Sequence, residues 1–464
     1  MKAFVKTFLE ARGYTVNSKA LAVIDRCDDW YAARDIESFH NRKTVQGIPY
    51  KVQKLGFAKR CCADDANLCE AVEINVGEDN AVNDAVNDVL RANKFFPMFR
   101  EQIEKVSAAG TAACYVRLDG ADIMDDETLR GGEIRLNYVD AESYMPLTVE
   151  NGDVIEAAFS GTILTSGKEE TTLVIFTRPE GRYQVETHVF DDKGNELPER
   201  EQKITLGDVK PFSVLRNAEV NNYDNMDGYG LPKIDAAIPY FMALELAYTV
   251  LYGDLDKGEK MVIVNDLLCG FDKNGKPIPP NRQAKKTFVM IGQKIDEENL
   301  LKEINPEIRA GVLTETIELL LSLLSMSFGY GTKKYSFQNG RITTATEYVG
   351  ERQDQMQELN RQRGQAREYI GDLVKAILWY ENAFQGSAWD IDSEVKVDFD
   401  DSYITNKEVE LERKRTDAIT FGIPEITAWY LMDAYNLTED EAMKLAQAEQ
   451  EEQDPEDRLH QGTR

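Results

Sequence analysis

Histidine and cysteine, which commonly supply catalytic and metal-binding groups, are scarce in this chain of 464 residues. The three histidines, His40, His188 and His460, are far apart in the sequence, and we interpret them as structural or surface residues. Six cysteines are too few for a disulfide scaffold and fit a reducing compartment. Their spacing lacks the second pair of Cys or His ligands that a tetrahedral metal site needs. We therefore predict ordinary buried thiols at Cys27, Cys61, Cys62, Cys69, Cys114 and Cys269.

Sequence motifs for nucleotide binding and hydrolysis are also missing. The chain contains no G-x-x-x-x-G-K-[ST], G-x-S-x-G or H-E-x-x-H, and its two G-Y-G triplets lack the context of a phosphate-binding loop. We predict no enzymatic activity, no cofactor and no bound metal. The alternative is a metal-dependent nuclease built on adjacent acidic pairs, although in so acidic a chain such pairs are mostly solvated surface. These pairs are Asp28-Asp29, Asp64-Asp65, Asp125-Asp126 and Asp400-Asp401.

Positive charge is in deficit, because 54 Lys and Arg residues face 82 Asp and Glu residues and give a formal net charge of −28. Tight binding to nucleic acid depends on clustered Lys and Arg, so we expect no surface that binds phosphate backbones tightly.

Long apolar runs are missing as well. The N-terminal segment, Met1–Val16, mixes charged and apolar side chains, unlike a secretion signal. The most apolar stretch, Val312–Phe328, contains two glutamates and is shorter than the ~20 residues of a membrane span. We predict neither secretion nor a membrane-spanning helix.

The part of the chain up to Val220 predicts an α+β fold. Helical periodicity covers 2–34, 55–70 and 81–106, and Pro97 is expected to break or kink the third stretch. From Thr111 to Val220, short β-favouring runs alternate with turn signals such as Asn151-Gly152. This texture favours an antiparallel sheet over regular βαβ units.

The next segment predicts a stalk of two antiparallel helices with a small β insert between them. Apolar positions repeat at helical spacing over 234–256 and again over 306–328. Between them lie strand-like runs at 261–265 and 287–291 and a turn at Asp272–Gly275.

The C-terminal third predicts one very long helix followed by smaller elements. The long helix covers 347–385, and an alternating strand at 395–399 is expected to return to the earlier sheet. Helices over 406–420 and 424–435 follow, with a capping box at Thr438 opening another. The acidic residues after Gln447 predict a disordered tail.

A polar loop lies between the second stalk helix and the very long helix. It carries Lys333, Lys334 and Arg341 in a chain that is otherwise strongly acidic. Loops longer than about 12 to 15 residues inside a compact domain are usually functional or disordered. Two interpretations stay open from the residues alone: a transient, sequence-independent phosphate contact, or a solvated hairpin.

The order of α+β body, helix, β insert, helix, loop, very long helix, strand and helical bundle resembles the portal proteins of tailed bacteriophages. Three motifs carry the resemblance over nearly the whole chain: N-N-Y-D at 221–224, G-Y-G-T-K-K-Y-S-F-Q-N-G-R-I-T-T-A-T-E at 329–347, and V-D-F-D-D-S at 397–402. The chain looks most similar to the branch found in long-tailed phages of Gram-positive hosts.

The resemblance implies a portal fold with an α/β wing, a two-helix stem, a β-containing clip, a tunnel loop and a helical crown. The implied boundaries are 1–232 for the wing, 233–259 and 306–328 for the stem helices, 260–305 for the clip, 329–346 for the tunnel loop, 347–404 for the long wing helix and return strand, 405–446 for the crown and 447–464 for the acidic tail. In such proteins the tunnel loop lines the narrowest part of the channel. The implied channel residues are Lys333, Lys334, Tyr335, Gln338, Asn339 and Arg341.

The resemblance also implies a function: a dodecameric ring at a single capsid vertex, through which double-stranded DNA is packaged and later ejected. ATP hydrolysis would be left to a separate motor. Implied partners are the terminase large subunit, a head-completion adaptor, and the major capsid and scaffolding proteins, in the virion and, during assembly, in the host cytoplasm. Twelve copies at −28 each would carry a formal charge of −336, so DNA would slide past most of the wall. The alternative is a structural ring of a domesticated phage-like or gene-transfer particle.

Overall fold

The structure is a computed structural model. It describes residues 2–69, 71–120, 122–123, 129–165, 167–258, 261–265, 269–278, 286–290, 301–304, 308–335, 345–399, 407–421, 423–435, 438 and 442–447. The chain divides into two compact units, Met1–Asp398 and Phe399–Arg464. The predicted acidic tail beyond residue 447 lies outside the described residues.

Helices of the first unit frame its sheets and form its stalk. They are α1 (Ala3–Ala11), α2 (Ser18–Tyr31), α3 (Glu37–His40), α4 (Phe57–Leu68), α5 (Asn80–Ala92), α6 (Phe95–Ala109), α7 (Lys233–Lys257), α8 (Ala310–Ser327) and α9 (Ala345–Tyr380). A single π turn, Glu381–Gln385, extends α9. The predicted break near Pro97 is present, but it falls at Lys94, whose φ is 54°. Pro97 itself lies in the first turn of α6, where the amide hydrogen that proline lacks has no helical partner to lose.

Strands occupy most of the region between α6 and α7. The strands are β1 (Asn41–Lys43), β2 (Pro49–Lys51), β3 (Ala71–Val76), β4 (Thr111–Asp119), β5 (Asp122–Ile123), β6 (Leu129–Arg130), β7 (Glu133–Asp140), β8 (Tyr144–Glu150), β9 (Asp153–Thr165), β10 (Lys168–Thr177), β11 (Gln184–Phe190), β12 (Gln202–Thr205), β13 (Phe212–Arg216), β14 (Met261–Asn265), β15 (Gly270–Phe271), β16 (Pro277–Ile278), β17 (Lys286–Met290), β18 (Leu301–Ile304) and β19 (Val395–Phe399).

Two antiparallel sheets form the centre of the first unit. One has the order β12-β11-β10-β9-β8 and the other β13-β4-β7. The turn between β8 and β9 uses Asn151 and Gly152, both with positive φ, as two-residue hairpins prefer. The predicted α+β class and the antiparallel pairing are confirmed.

Aromatic side chains join the two sheets. Tyr115 and Phe212 from the three-stranded sheet meet Phe159 and Phe176 from the five-stranded sheet, with ring centroids 5.1 to 5.8 Å apart. All but Tyr115 are almost fully buried. Such pairs add about 0.5–1.5 kcal/mol each beyond the area they bury. The aromatic cluster therefore holds the sheets face to face, while α6 and α9 contact the three-stranded sheet.

The stalk consists of α7 and α8, which contact each other. Arg309 donates two hydrogen bonds to Asp254, at 2.8 and 2.9 Å, near the end of α7 and the start of α8. The helix predicted over 234–256 is confirmed, and it runs through Pro239 without ending. Exposed apolar side chains mark the pair: Tyr248, Val250, Tyr252, Leu255, Ile308, Val312, Leu319 and Met326.

By length and composition, both stalk helices are apolar enough to cross a membrane. The expectation of no membrane-spanning helix therefore stays a prediction. The first half of α7 is packed inside the first unit, with Ile234, Ala237, Phe241 and Leu244 almost fully buried. This part of the helix serves as a core element of a folded body.

The insert between the stalk helices is a small β module, as predicted. β14 pairs with β17 in parallel and with β18 antiparallel, and Val262 and Val264 form its buried centre. The predicted turn at Asp272–Gly275 connects β15 to β16, and the Asp272 carboxylate accepts hydrogen bonds from the amides of Asn274 and Lys276.

The expectation that the strand at 395–399 returns to the sheet of residues 111–220 is wrong. β19 pairs instead with β3, a strand that sequence analysis did not predict. Both strands bury alternate residues, Ile74 and Val76 on β3 and Val397 and Phe399 on β19. Each strand therefore has one buried face, and the two strands form a sheet of their own, apart from the larger sheets.

The second unit is a small helical group. It contains α10 (Lys407–Phe421), α11 (Pro424–Tyr435) and a short helix over 442–447. Ala428, Leu431, Ala442 and Ala446 form its buried core. The two helices predicted over 406–420 and 424–435 are confirmed.

Candidate functional site

The predicted channel loop begins where α8 ends. The amide of Gly329 donates to the Met326 carbonyl and the amide of Tyr330 to the Ser325 carbonyl, each at 3.0 Å. With φ at 74°, Gly329 completes a Schellman motif, in which only glycine adopts the left-handed conformation without strain. The chain therefore leaves the helix at a fixed angle.

Residues 330–335 are anchored to the first unit by two tyrosines. Tyr330 is almost fully buried, and its hydroxyl donates a short hydrogen bond to Asp65 of α4. The amide of Tyr335 donates to the Ser325 hydroxyl at 3.1 Å, and its ring lies 6.4 Å from that of Tyr330. Burial raises the pKa of Tyr335, which stays a neutral phenol. The first turn of the loop is thus part of the folded body.

The predicted loop cations have distinct places. Lys334 is exposed, and its ammonium lies 5.7 Å from the ring centroid of Tyr330, within the range of a cation–π contact. Lys333 is half-buried. Gln338, Asn339 and Arg341 lie outside the described residues. The structure brings Lys334 and Tyr335 together around the ring of Tyr330, and a channel-lining role for these six residues stays a prediction.

A buried ionic cluster contacts this segment. Lys233, the first residue of α7, contacts Asp65 of α4 at 3.1 Å and Glu358 of α9 at 2.9 Å. Ser107 of α6 donates to the same Asp65 carboxylate at 2.6 Å. Together with Tyr330, these residues form what we call the Lys233 cluster. It joins four helices and the start of the loop.

Opposing effects set the protonation of the Lys233 cluster. Burial disfavours the Lys233 ammonium, but attraction to Asp65 and Glu358 outweighs it and raises the pKa of Lys233. Burial raises the pKa of Asp65, and Lys233 and Ser107 oppose that rise by stabilising its carboxylate. Two buried acids therefore depend on one buried cation. Removing the cation would leave Asp65 without the ammonium it contacts, and Glu358 with only the exposed Arg361, 3.6 Å away.

Two glycine contacts fix the backbone around this cluster. A Cβ on Gly329 would lie 3.1 Å from Cγ of Glu358, so the end of α8 packs closely on α9. A Cβ on Gly230 would lie 2.2 Å from the Gly110 carbonyl oxygen, so the segment leading into α7 has no room for a side chain. These two close contacts fix the positions of the start of α7 and of the start of the loop.

The adjacent acidic pairs are structural where the structure describes them. Asp28 and Asp29 both contact Arg34. Asp64 pairs with Arg60 one turn earlier on α4. Asp125-Asp126 and Asp400-Asp401 lie outside the described residues. No described acidic pair supplies the open metal site that the nuclease alternative requires.

Histidines and cysteines in the described part of the chain are buried. All six cysteines are buried thiols, as predicted, and burial raises the pKa of Cys61 and Cys69 to about 12. His40 accepts from the Ile36 amide at 2.8 Å and its Nε2 lies 3.0 Å from Glu245, a structural role. His460 lies outside the described residues.

Sequence reasoning missed the Lys233 cluster. The sequence predicts Asp64-Asp65 as one of several surface acidic pairs, and it singles out Lys233 for no role beyond the boundary of the implied stem segment 233–259. Local sequence carries no signal that a charge will be buried, because burial is decided by helices that are distant from one another in the chain.

Comparison with known proteins identifies the family. The family model described as "Phage portal protein, SPP1 Gp6-like" matches residues 67–456. The chain therefore belongs to this family of phage portal proteins, and the resemblance seen in the sequence is confirmed. The branch from Gram-positive hosts stays a prediction.

Individual relatives add little to the family match. No curated protein matches significantly. Among solved structures, the neck of a native GTA particle, computed with C12 symmetry, is similar at 14% identity and a TM-score of 0.40. The match covers 84% of this chain and 89% of the other.

Proposed function

We propose that this chain is the subunit of a dodecameric portal ring at one capsid vertex, the channel for DNA packaging and ejection. The observation that carries the proposal is the family match over residues 67–456. In this proposal the ring is not an enzyme and docks a separate motor, the terminase large subunit, and later a head-completion adaptor. The capsid and scaffolding proteins surround it.

Exposed apolar side chains on the stalk support assembly into a ring. Tyr252, Leu255, Val312 and Leu319 are each more than half exposed in the single chain. Burying apolar surface contributes about 25 cal/mol per Å². We propose that neighbouring copies cover this surface, with α7 and α8 as the stem and residues 260–305 as the clip that meets the motor and adaptor. Residues 1–232 and 347–404 would form the wing, and 405–446 the crown.

The position of the loop start supports a channel role. The Lys233 cluster and the Schellman motif fix residues 329–335, so the described start of the loop is a rigid base. In a ring with a strongly negative charge, a few cations at such a place would contact passing phosphates weakly and without sequence preference.

A packaging assay with loop variants tests this role. Lys333→Ala with Lys334→Ala should lower the rate or the final amount of DNA packaged, while rings still form. The matched control is Lys168→Ala with Lys193→Ala, which removes two exposed lysines from the five-stranded sheet region. If the loop variant packages DNA as well as the control does, Lys333 and Lys334 are not part of the proposed DNA contact.

A further inference from the structure

A second cluster of titratable residues lies at the edge of the five-stranded sheet, on elements other than those that anchor the loop. His188 of β11 is fully buried, and its Nδ1 lies 2.7 Å from Glu196 Oε1 and 3.9 Å from Glu201 Oε1. The three potential ligand atoms lie within 4.8 Å of one another. The sequence predicted no metal ligands here, since the spacing of these residues matches no common metal motif.

The backbone holds these three residues in place. Glu196 pairs with Phe190 in an isolated bridge, and the amide of Leu197 donates to the Val189 carbonyl at 2.8 Å. Between them, Asp191 accepts hydrogen bonds from the amides of Lys193 and Asn195 and closes the turn. A turn of 3₁₀ helix, Pro198–Arg200, then brings Glu201 back towards the histidine.

The unusual feature is the other nitrogen of the histidine ring. His188 Nε2 is buried and has no hydrogen-bond partner among the described residues, although buried polar atoms are nearly always paired. Glu186 Oε2 lies 3.7 Å from it, and Arg12 and Lys203 hold that carboxylate at 2.6 and 3.3 Å. In a neutral ring whose Nδ1–H donates to Glu196, the Nε2 lone pair faces the Glu186 carboxylate and makes no hydrogen bond with it.

A metal ion on Nδ1 would resolve this arrangement. The ring proton would then be on Nε2 and would point towards Glu186. Metal-binding histidines commonly direct their second nitrogen at a carboxylate in this way. We propose that His188, Glu196 and Glu201 bind a divalent metal ion, with Glu186 orienting the histidine.

The donor set favours zinc among divalent ions. One imidazole nitrogen with two carboxylate oxygens suits Zn²⁺, whereas Mg²⁺ and Ca²⁺ prefer oxygen ligands alone. Zinc bonds of about 2.0–2.2 Å place tetrahedral ligand atoms about 3.3 Å apart. This separation lies between the 2.7 Å from His188 Nδ1 to Glu196 Oε1 and the 3.9 Å from Nδ1 to Glu201 Oε1. Two carboxylates would neutralise the ion, and water would take the fourth position. The ion would cross-link β11 to the segment before β12.

Metal binding to the full chain tests the proposal, independently of any portal role. After chelation, Zn²⁺ is titrated by calorimetry into the wild type, Glu201→Gln and the control Glu199→Gln. Glu199 is exposed on the same turn and makes no described contact with His188. We expect one site per chain in the wild type and control, and affinity at least about tenfold weaker in Glu201→Gln. Co²⁺ should give visible absorption typical of tetrahedral coordination.

Glu201→Gln is the informative variant because it leaves the His188–Glu196 hydrogen bond in place, so the metal-free protein should melt as the wild type does. Zn²⁺ should raise the melting temperature of the wild type and the control more than that of Glu201→Gln. Equal affinity in all three proteins, or no saturable binding, would overturn the proposal. His188 would then be a buried ion-pair residue between Glu196 and Glu186.

Discussion

Replacing Lys233 by Met removes the one cation of the Lys233 cluster while keeping most of the side-chain volume. Lys233 is only 4% exposed, and its loss leaves Asp65 buried without the ammonium it contacts and Glu358 with only the exposed Arg361, 3.6 Å away. Breaking a buried pair in this way costs about 3–5 kcal/mol. Urea unfolding, followed by tryptophan fluorescence at matched protein concentration, should show this loss as a lower midpoint with a similar slope.

The control is Lys375→Met, which breaks an exposed pair with Asp392 at 3.0 Å. Exposed pairs contribute about 0–1 kcal/mol, so this variant should unfold almost as the wild type does. A triple variant with Asp65→Asn, Lys233→Met and Glu358→Gln should recover part of the loss, because no buried charge is left unpaired. Equal midpoints for Lys233→Met and Lys375→Met would refute the cluster's structural role.

The pH dependence of Lys233→Met gives an independent check. Burial raises the pKa of Asp65, and the variant lacks the ammonium that opposes this rise. A group with a raised folded-state pKa contributes stability that is present below its unfolded value of 3.8 and is lost as pH rises through the folded value. The deficit against wild type should therefore be smallest near pH 4 and grow towards neutral pH.

Two further predictions concern the first unit. Gly230→Ala should strongly lower the melting temperature, because its Cβ would overlap the Gly110 carbonyl. The control Gly364→Ala, on an open face of α9, should stabilise the protein by about 0.5–1 kcal/mol. Equal melting temperatures for the two variants would contradict the close approach of Gly230 to Gly110. Burial favours the neutral acid of Glu186, but hydrogen bonds from Arg12 and Lys203 outweigh it and lower its pKa. With metal chelated, wild type should be more stable than Arg12→Gln at neutral pH, and the difference should shrink as pH falls below 4.5; a constant difference would argue against this pairing.

Local periodicity was sufficient for the long elements. The helices at 234–256 and 424–435 and the turn at 272–275 all follow from apolar spacing or turn residues, and the structure confirms them. The pairing of β3 with β19 was missed because the two strands lie near opposite ends of the first unit's sequence and are both short. Periodicity shows that a strand has a buried face, but it does not show which strand lies beside it.

The candidate sites were less predictable than the fold. The loop was located from its composition and from the family resemblance, and its anchoring by Tyr330 was not foreseen. Buried polar groups such as Lys233, Asp65 and His188 have the same local sequence signals as exposed ones. Their roles depend on partners from distant elements, so only the folded chain brings their interactions into view.

The most direct test of the portal proposal is the mass and shape of the purified assembly, measured by native mass spectrometry and by electron microscopy of particles viewed along their axis. Because a closed ring holds a whole number of identical subunits, twelve copies of the 52.5 kDa chain give a mass of about 630 kDa. We predict a ring near that mass with a central channel. A monomer or dimer that forms no ring even at high concentration would contradict the account.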